Sequence, residues 1–347
     1  FFKFSFFLLS LKSNNKTIAL SMEVKVPKIL MNNGQEIPAV ALGTYLGFGE
    51  SGVITPKGNE FRDVMLKAID IGYRHFDTAA IYNTEKDIGE AICMKLSSGE
   101  FSRKDFFVTT KLWNTDHQRG RVTAALRQSL KNLGLNHVDL FLMHWPLGLK
   151  DNYTFSEVDF METWRGMQDV YTLGLAKAIG VSNFNLKQLK RVIEESTVKP
   201  AALQIELHPL NVQEELVKYA QSQGLVVMGY SPFGSLVARH GQWAPGPRLN
   251  DTTLVSIAEK YGKTVPQVVL RWAVERNVIP LPKSVNPKRL EENINIFDFK
   301  LDKDEVDKIS QFDSGTRLTL PSFWQNHPYY PFEKVDNPIP DPFLTNH

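Results

Sequence analysis

The sequence predicts an α/β fold: a (β/α)8 TIM barrel with an N-terminal β-hairpin and long loops at the carboxyl ends of its strands. Eight short apolar segments alternate with amphipathic helical segments, which indicates a parallel sheet. Eight such units within roughly 250 residues match the size of a closed barrel. A doubly wound open sheet is the structural alternative. Seven of the apolar segments end in polar or ionisable residues, which favours the barrel because its loops converge on one face.

The N-terminal part of the chain has two interpretations. Residues 1–21 include the apolar run FFKFSFFLLSL, which is signal-like but too short to cross a bilayer. We expect either a signal segment or translated upstream sequence, and favour the second, with Met22 as the start and residues 22–347 as a single domain. Residues 27–38 predict a β-hairpin, because Asn33-Gly34 suits the positive φ angles of a type I′ turn.

The barrel elements follow in order. The predicted strands are AVALG (39–43), YRHFD (73–77), FFVTTK (106–111), VDLFLMH (138–144), AKAIGVSN (176–183), AALQIE (201–206), LVVMGYS (225–231) and VIPLPKS (278–284). Apolar residues at helical spacing predict helices around 61–69 and 122–133, and over 84–97, 160–173, 185–196, 213–223, 251–261, 265–276 and 287–296. Three long segments, 145–159, 232–250 and the tail from Ser314, are expected to shape a pocket.

Composition excludes several classes of function. The net charge is +2 with both signs interspersed, so we expect no nucleic-acid partner and no membrane partner. The single cysteine, Cys93, excludes an intrachain disulfide framework and fits a reducing, cytoplasmic location. It lies in a helical segment, where we expect a buried and inert thiol.

Four residues near the ends of consecutive strands suggest catalysis. Asp77, Lys111 and His144 end three neighbouring apolar segments, and Tyr82 lies five residues after Asp77. Each has an ordinary explanation alone: a turn carboxylate, a structural ion pair, a core histidine or an interfacial tyrosine. Their joint occurrence at the mouths of three strands favours a catalytic group.

The set suits the reduction of a carbonyl. Hydride addition leaves charge on the carbonyl oxygen, which then needs a proton donor and stabilising dipoles. Tyr82 would be the acid, Lys111 would lower the pKa of its hydroxyl, Asp77 would anchor Lys111, and His144 would orient the carbonyl.

Two further motifs concern nucleotide binding. GFGESG (47–52) formally matches a dinucleotide fingerprint, but Pro56 and Gly58 prevent a helix from following, so we interpret it as a loop. In LPKSVNPKRLEEN (281–293), two cations near a predicted helix start favour a nucleotide with an extra phosphate. An ordinary capped helix with solvated charges is the alternative there.

From about Val26 to Phe332, the chain resembles NADPH-dependent aldo-keto reductases of the aldose-reductase-like branch. The motifs that carry the resemblance are GYRHFDTAAIYNTE, TKLW, LFLMHWP, AIGVSNF, QIELHP, GYSPFGS and PLPKSVNPKRLEEN. The resemblance implies a metal-free catalytic tetrad of Asp77, Tyr82, Lys111 and His144. It also implies an NADPH site formed by Thr44, Ser182, Asn183, Gln204, Tyr230, Ser231, Phe233, Ser235, Lys283, Ser284, Val285, Arg289, Glu292 and Asn293.

Within that site, the resemblance divides the roles. Ser182, Asn183 and Gln204 would hold the nicotinamide amide, with Tyr230 stacked on the ring. The pyrophosphate would lie along Ser231, Phe233 and Ser235. The 2′-phosphate would be bound by Lys283, Ser284 and Arg289, and the adenine by Glu292 and Asn293.

The chain departs from aldose reductases in the substrate pocket. Tyr45 stands where they carry a tryptophan, and Thr316 stands roughly where they carry another in the C-terminal loop, which predicts a wider site. The implied substrate residues are Tyr45, Tyr82, Trp113, His144, Trp145 and Trp243.

We therefore expect a monomeric reductase of a small-molecule aldehyde or ketone. The tail SFWQNHPYYPFE resembles insect members, including 3-dehydroecdysteroid reductases, and suggests a bulky ketone. The alternatives are a broad-specificity aldehyde or aldose reductase and a non-catalytic NADPH-binding protein. Reduction of steroid double bonds is disfavoured, because related enzymes with that activity carry Glu at the position of His144.

Overall fold

Twelve strands occur in the residues that the computed structural model describes, which are 25–49, 52–236 and 246–344. Residues 1–21 and Trp243 lie outside these ranges. The strands are β1 Lys28–Leu30, β2 Glu36–Pro38, β3 Leu42–Gly43, β4 Phe48–Gly49, β5 Gly52–Val53, β6 His75–Asp77, β7 Phe107–Leu112, β8 Leu140–Met143, β9 Ile179–Ser182, β10 Ala202–Glu206, β11 Val226–Tyr230 and β12 Val278–Leu281.

Eight of these strands form one parallel sheet in the order β3-β6-β7-β8-β9-β10-β11-β12. Two backbone hydrogen bonds join its edges: Ala41 N donates to Pro280 O at 3.2 Å and Gly43 N donates to Pro282 O at 3.0 Å. The sheet therefore closes on itself, and the predicted barrel is confirmed over the open-sheet alternative. The carboxyl ends of all eight strands consequently meet at one face.

Ten α-helices lie within the described residues and cover the outside of the barrel. They are α1 Glu60–Ile71, α2 Glu85–Ser97, α3 Arg119–Leu133, α4 Phe160–Thr172, α5 Leu186–Glu195, α6 Glu214–Ser222, α7 Thr252–Tyr261, α8 Val265–Glu275, α9 Pro287–Ile294 and α10 Lys303–Ser310. The first nine match predicted helices. Helix α10 was not predicted, although the capping box between Asp302 and Glu305 is a sequence signal for its start. No helix of the described part is long and apolar enough to cross a membrane.

The predicted N-terminal hairpin forms, but its turn differs from the prediction. Of Asn33 and Gly34, only Gly34 has a positive φ, at 82°. Gly34 N donates to Met31 O at 3.0 Å, so a three-residue loop with glycine in the left-handed position replaces the two-residue turn. Met31 and Ile37 pack with the first residues of the barrel strands, so the hairpin covers the amino-terminal end of the barrel.

Two other predictions are tested by the fold. GFGESG is not followed by a helix until Glu60, and its ends pair as the short antiparallel strands β4 and β5. It is therefore no dinucleotide fingerprint, although it is a small ladder rather than an irregular loop. The expectation of a buried Cys93 is wrong, because its thiol is exposed. Ile92 faces the core, and the next residue of a helix points about 100° away.

Candidate active site

A buried ion pair joins the ends of β6 and β7. Lys111 Nζ lies 2.6 Å from Asp77 Oδ1 and donates a second hydrogen bond of 2.9 Å to Thr78 O. The side chains are 0% and 5% exposed, respectively. Burial raises the pKa of Asp77 and lowers the pKa of Lys111, while the attraction between the two charges opposes both shifts. Such a pair persists only because each charge compensates the other.

The second oxygen of Asp77 and its carbonyl group are also bonded. Gln204, on β10, donates from Nε2 to Asp77 Oδ2 at 2.7 Å. Thr44, which follows β3, donates from Oγ1 to Asp77 O at 2.9 Å. Both residues are buried and both were predicted to bind cofactor. The predicted catalytic and cofactor-binding groups therefore share one hydrogen-bonded unit.

Tyr82 and His144 complete the group of four predicted catalytic residues. Tyr82 ends a 3-10 turn that spans Ala80–Tyr82, and its hydroxyl lies 3.4 Å from Nε2 of His144, the residue after β8. The Nζ atom of Lys111 lies 4.9 Å from the centre of the Tyr82 ring. The structure thus brings all four together, although Tyr82 belongs to a loop.

The pKa of Tyr82 shifts in the direction opposite to the one expected. Burial and then the charge of Asp77 raise the pKa of Tyr82, whereas Lys111 was expected to lower it. The reason is geometric: the Lys111 ammonium faces the ring and donates to Asp77 and Thr78. Burial and the charge of Lys111 hold the pKa of His144 well below its ordinary value. The phenol and the imidazole are therefore both neutral near pH 7.

Polar side chains at the ends of β9 and β11 continue the site. Asn183 donates from Nδ2 to His144 O at 2.9 Å and accepts from the Tyr230 hydroxyl at 2.8 Å. Asn183 has a φ of 62° and Ser231 a φ of 51°, in the left-handed region that non-glycine residues rarely adopt. Such local strain is typical of functional sites. Ser182, the last residue of β9, is buried next to Asn183.

The remaining predicted cofactor residues follow β11 and β12. Phe233 packs against the core, and Ser235 is buried with its hydroxyl 3.3 Å from Pro247 O. Lys283, Ser284 and Val285 lead into α9, which carries Arg289, Glu292 and Asn293. Arg289 is exposed and Asn293 is buried. Within the described ranges, no group of His, Cys, Asp and Glu could hold a metal ion.

Comparison with known proteins identifies the family. A sequence model of the Aldo/keto reductase family matches residues 39–314. The chain belongs to the aldo/keto reductase family. Membership confirms the predicted enzyme class, an oxidoreductase that acts on carbonyl groups.

Individual relatives agree with this placement. Aldo-keto reductase AKR2E4 of Bombyx mori is 46% identical over 310 residues, which are 89% of this chain and 100% of that protein. Aldo-keto reductase family 1 member A1 of Xenopus tropicalis is 38% identical over 320 residues, 86% of this chain and 95% of that protein.

Solved structures show the same fold. The crystal structure of the Bombyx mori protein in complex with NADP has a TM-score of 0.85 and 45% identity, covering 89% of this chain and 100% of that one. The structure of AKR2E5 complexed with NADPH has a TM-score of 0.89 and 42% identity, covering 92% of this chain and 98% of that one.

In this aldo/keto reductase, aromatic rings surround His144 and Tyr82. The Trp113 ring lies 5.4 Å from that of His144, and the Tyr45 ring lies 5.0 Å from that of Tyr82. Trp145 stacks beside His144 at 6.4 Å. Three of the predicted substrate residues therefore lie next to the predicted acid or its histidine.

The C-terminal tail adds rings that were not predicted as substrate residues. Trp324 lies 6.1 Å from Trp113 and 5.6 Å from Trp145, and Phe343 lies 5.6 Å from Trp113. Aromatic residues are dense after Pro321, and this density was the one sequence signal for them. Their spacing follows neither a helical nor a strand period, so it gave no position for any single ring. Tyr153 and Phe155, from the predicted pocket loop 145–159, belong to the same aromatic cluster.

Thr316, where the sequence predicts the loss of a pocket wall, is held at the start of the tail. Thr316 N donates to Leu210 O at 2.9 Å, and its hydroxyl bonds that of Ser314 at 2.8 Å. These contacts attach the start of the tail to the loop between β10 and α6. Farther along the tail, Trp324 contacts Trp113 and Trp145. The wider site expected from Tyr45 and Thr316 stays a prediction.

Proposed function

We propose that this protein reduces an aldehyde or ketone to the alcohol with NADPH, using Tyr82 as the general acid. The observation that carries the proposal is the contact of 3.4 Å between the Tyr82 hydroxyl and Nε2 of a neutral His144. Both groups stand beside the Asp77–Lys111 pair. In a neutral phenol the proton is available for transfer to a developing alkoxide.

The side chains have separate tasks. Tyr82 gives its proton to the carbonyl oxygen, and His144 orients that oxygen by a hydrogen bond from Nε2. The imidazole accepts no proton near neutral pH, because its pKa is depressed by burial and by Lys111. Lys111 lies 4.9 Å from the centre of the Tyr82 ring and pairs with Asp77, whose uncompensated charge would oppose the phenolate that remains after transfer more strongly. Asp77 holds Lys111 in place.

The donor set around Asn183 fits a nicotinamide dinucleotide, which supplies the hydride when bound. The buried amides of Asn183 and Gln204 and the hydroxyl of Ser182 suit a carboxamide, which needs both donors and acceptors. Tyr230 is tied to Asn183 and offers an aromatic face beside them. Two solved relatives are complexes with NADP and NADPH, which supports the same cofactor here.

Separate residues bind the phosphates of the dinucleotide in this proposal. Ser231, Phe233 and Ser235 line the pyrophosphate. Lys283, Ser284 and Arg289 bind the 2′-phosphate, with Glu292 and Asn293 at the adenine, and Val285 is a further cofactor contact. The placement is supported by an exposed arginine in the first turn of α9, where helix N–H groups favour an anion.

The proposal also includes a class of substrate. A pocket walled by Tyr45, Trp113, Trp145 and Trp324 suits an apolar carbonyl better than a sugar, because aromatic walls offer few hydrogen bonds to hydroxyl groups. We propose a bulky ketone such as a 3-dehydroecdysteroid. The second candidate is an aldehyde or aldose reductase of broad specificity, favoured by the likeness to the structure of the aldose reductase from Schistosoma japonicum, with a TM-score of 0.79 and 38% identity.

The protein's cellular setting is also proposed. We infer a cytoplasmic monomer whose residues 22–347 form one domain, without nucleic-acid or membrane partners. An exposed thiol at Cys93 suits a reducing compartment. The net charge of +2 gives no electrostatic attraction for nucleic acid.

One assay tests the proposal. NADPH oxidation is followed with aldehydes, sugars and steroid ketones, for the wild type and for Tyr82→Phe. We expect turnover of apolar carbonyls by the wild type and none by the variant, while NADPH binding, followed by fluorescence, is equal in both. Binding without turnover in the wild type would instead identify a non-catalytic NADPH-binding protein. Unchanged turnover in Tyr82→Phe would remove Tyr82 from the role of acid.

A further inference from the structure

Three buried threonine hydroxyls form a hydrogen-bonded chain beside the Asp77–Lys111 pair. Thr84 Oγ1 lies 2.9 Å from Thr78 Oγ1 and 3.1 Å from Thr44 Oγ1, and Thr44 Oγ1 donates to Asp77 O at 2.9 Å. All three threonines are fully buried. We call this group the threonine chain. Thr84 is its centre, because its hydroxyl contacts those of both other members.

The direction of the threonine chain follows from the number of hydroxyl hydrogens. A carbonyl oxygen only accepts, so Thr44 uses its one hydrogen on Asp77 O. Thr44 must therefore accept from Thr84, and Thr84, whose hydrogen is then used, must accept from Thr78. The threonine chain thus runs from Thr78 through Thr84 and Thr44 to Asp77 O. Hydrogen bonds that point the same way in a buried chain strengthen one another.

The threonine chain closes the loop that carries Tyr82. Thr78 is fixed to the barrel, because its N–H donates to Thr109 O at 2.8 Å and its carbonyl accepts from Lys111 Nζ at 2.9 Å. Thr84 directly precedes α2. The loop between Thr78 and Thr84, which includes Tyr82, therefore has its two ends joined by the hydrogen bond between the threonine hydroxyls.

The side chain of Thr84 serves this loop instead of the helix that follows. Thr84 is the N-cap residue of α2, where a threonine ordinarily accepts a hydrogen bond from an N–H group of the first turn. Its side chain makes no such bond. The preceding residue, Asn83, has a φ of 57°, in the left-handed region, and such a conformation persists only where the surroundings hold it. The hydroxyl that would cap the helix is used to hold the loop.

We propose that Thr84 is a positioning residue that holds Tyr82 at the right distance from His144 for proton transfer. The role rests on the proposed function, since it concerns the acid of that reaction. The Tyr82 hydroxyl lies 3.4 Å from Nε2 of His144, which is already long for a hydrogen bond. A further displacement of about 1 Å can cost up to about 100-fold in rate. In this role Thr84 contacts neither substrate nor cofactor and acts through the loop.

Thr84→Val tests the role, because valine keeps the shape of threonine and removes the hydroxyl. The variant leaves Thr78 without its acceptor, so we expect kcat to fall about tenfold or more while KM and the Kd of NADPH stay within about twofold of the wild type. Thr84→Ser, which restores the hydroxyl, should regain most of kcat. Thr172→Val is the matched control and should change nothing, since the Thr172 hydroxyl bonds Gln168 O at 3.0 Å at the exposed end of α4.

The direction of the threonine chain predicts an order among variants. Thr78→Val removes one of its hydrogen bonds and Thr84→Val removes two, so the loss of kcat should be smaller in Thr78→Val. The double variant should be no slower than Thr84→Val, because Thr84→Val already removes the bond that Thr78 makes. Losses that multiply in the double variant would overturn the proposal.

Hydrogen exchange gives a second measurement, which does not need turnover. The Tyr82 N–H group donates to Ala79 O at 3.0 Å inside the loop, and its exchange should be about tenfold faster in Thr84→Val. If the wild type oxidises NADPH with no carbonyl tested but this acceleration occurs, the proposed function fails and the role of Thr84 in holding the loop stands. Unchanged exchange in Thr84→Val, or an unchanged kcat in an active enzyme, would overturn the role of Thr84. So would a loss of kcat that Thr84→Ser does not regain.

Discussion

Gln204 donates a hydrogen bond of 2.7 Å to Asp77, so a predicted cofactor residue is attached to the carboxylate of the buried ion pair. The barrel produces this contact because β10 and β6 lie on opposite sides of it, and the two side chains meet between them. Gln204→Leu should leave Asp77 Oδ2 without this donor. We expect a loss of about 1–3 kcal/mol in the free energy of unfolding, measured by urea denaturation without cofactor. Full stability in the variant would show that Asp77 does not need the amide.

The Asp77–Lys111 pair predicts a non-additive mutant cycle. Lys111→Met should cost about 3–5 kcal/mol of the free energy of unfolding, because it leaves the Asp77 carboxylate buried without its counter-charge. Combining it with Asp77→Leu removes both charges and should recover part of that loss. The three variants are compared by urea denaturation. Strictly additive losses would mean that the two charges do not compensate each other.

Buried histidines predict a loss of stability in acid. Burial lowers the pKa of His75 and of His117 to about 3, from an ordinary value of 6.5. The folded state therefore resists protonation, so the stability is present above pH 6.5 and is lost as the pH falls toward 3. Each histidine should cost about 2 kcal/mol between pH 7 and pH 5.

His117 offers the cleaner test of this effect, because neither of its ring nitrogens has a hydrogen-bond partner in the described part of the chain. The free energy of unfolding of His117→Leu should fall by about 2 kcal/mol less than that of the wild type between pH 7 and pH 5. The comparison uses urea denaturation at both pH values. Parallel pH dependence in the two proteins would contradict the depressed pKa of His117.

The positions of the barrel strands and of most predicted site residues follow from local pattern, since apolar runs and their polar ends are properties of a few neighbouring residues. The tail behaves differently. Trp324 and Phe343 lie in a segment whose apolar residues have no helical or strand periodicity. Their positions against Trp113 depend on contacts between distant parts of the chain. The direction of the pKa shift of Tyr82 could not be predicted from the sequence either, because it depends on where the Lys111 ammonium points.

Arg289 predicts a preference between cofactors. Its exposed side chain near the start of α9 would bind the 2′-phosphate, which NADH lacks. Arg289→Ala should raise the Kd of NADPH by roughly tenfold or more and leave that of NADH nearly unchanged, as for the loss of a charge-assisted contact. Lys303→Ala, at the first position of α10, is the control, because Lys303 is exposed and pairs with Asp307 rather than with a proposed cofactor residue. Equal losses for both cofactors would refute the assignment.

Glu206 ties the start of the tail to the barrel and predicts how the tail responds to acid. Its carboxylate is fully buried and accepts hydrogen bonds from the backbone N–H groups of Leu318 and Thr319, both at 2.6 Å. His208 Nε2 lies 2.9 Å from the same carboxylate. Burial opposes ionisation, but these contacts outweigh it and lower the pKa of Glu206 below its ordinary value of 4.5. The stabilisation is therefore present above pH 4.5 and is lost as the pH falls through the lowered pKa.

Glu206→Gln tests this anchor at neutral pH. The amide retains one acceptor oxygen for two backbone donors, so we expect a loss of about 1.5–3 kcal/mol in the free energy of unfolding. The loss should be accompanied by faster hydrogen exchange at Leu318 and Thr319. Glu215→Gln, on the exposed side of α6, is the matched control and should change neither quantity. Because the anchored segment leads directly to Trp324, the variant should also raise the KM for apolar carbonyls more than it lowers kcat. Protected amides at both positions in Glu206→Gln would show that the tail is held by other contacts, such as the hydrogen bond from Thr316 N to Leu210 O.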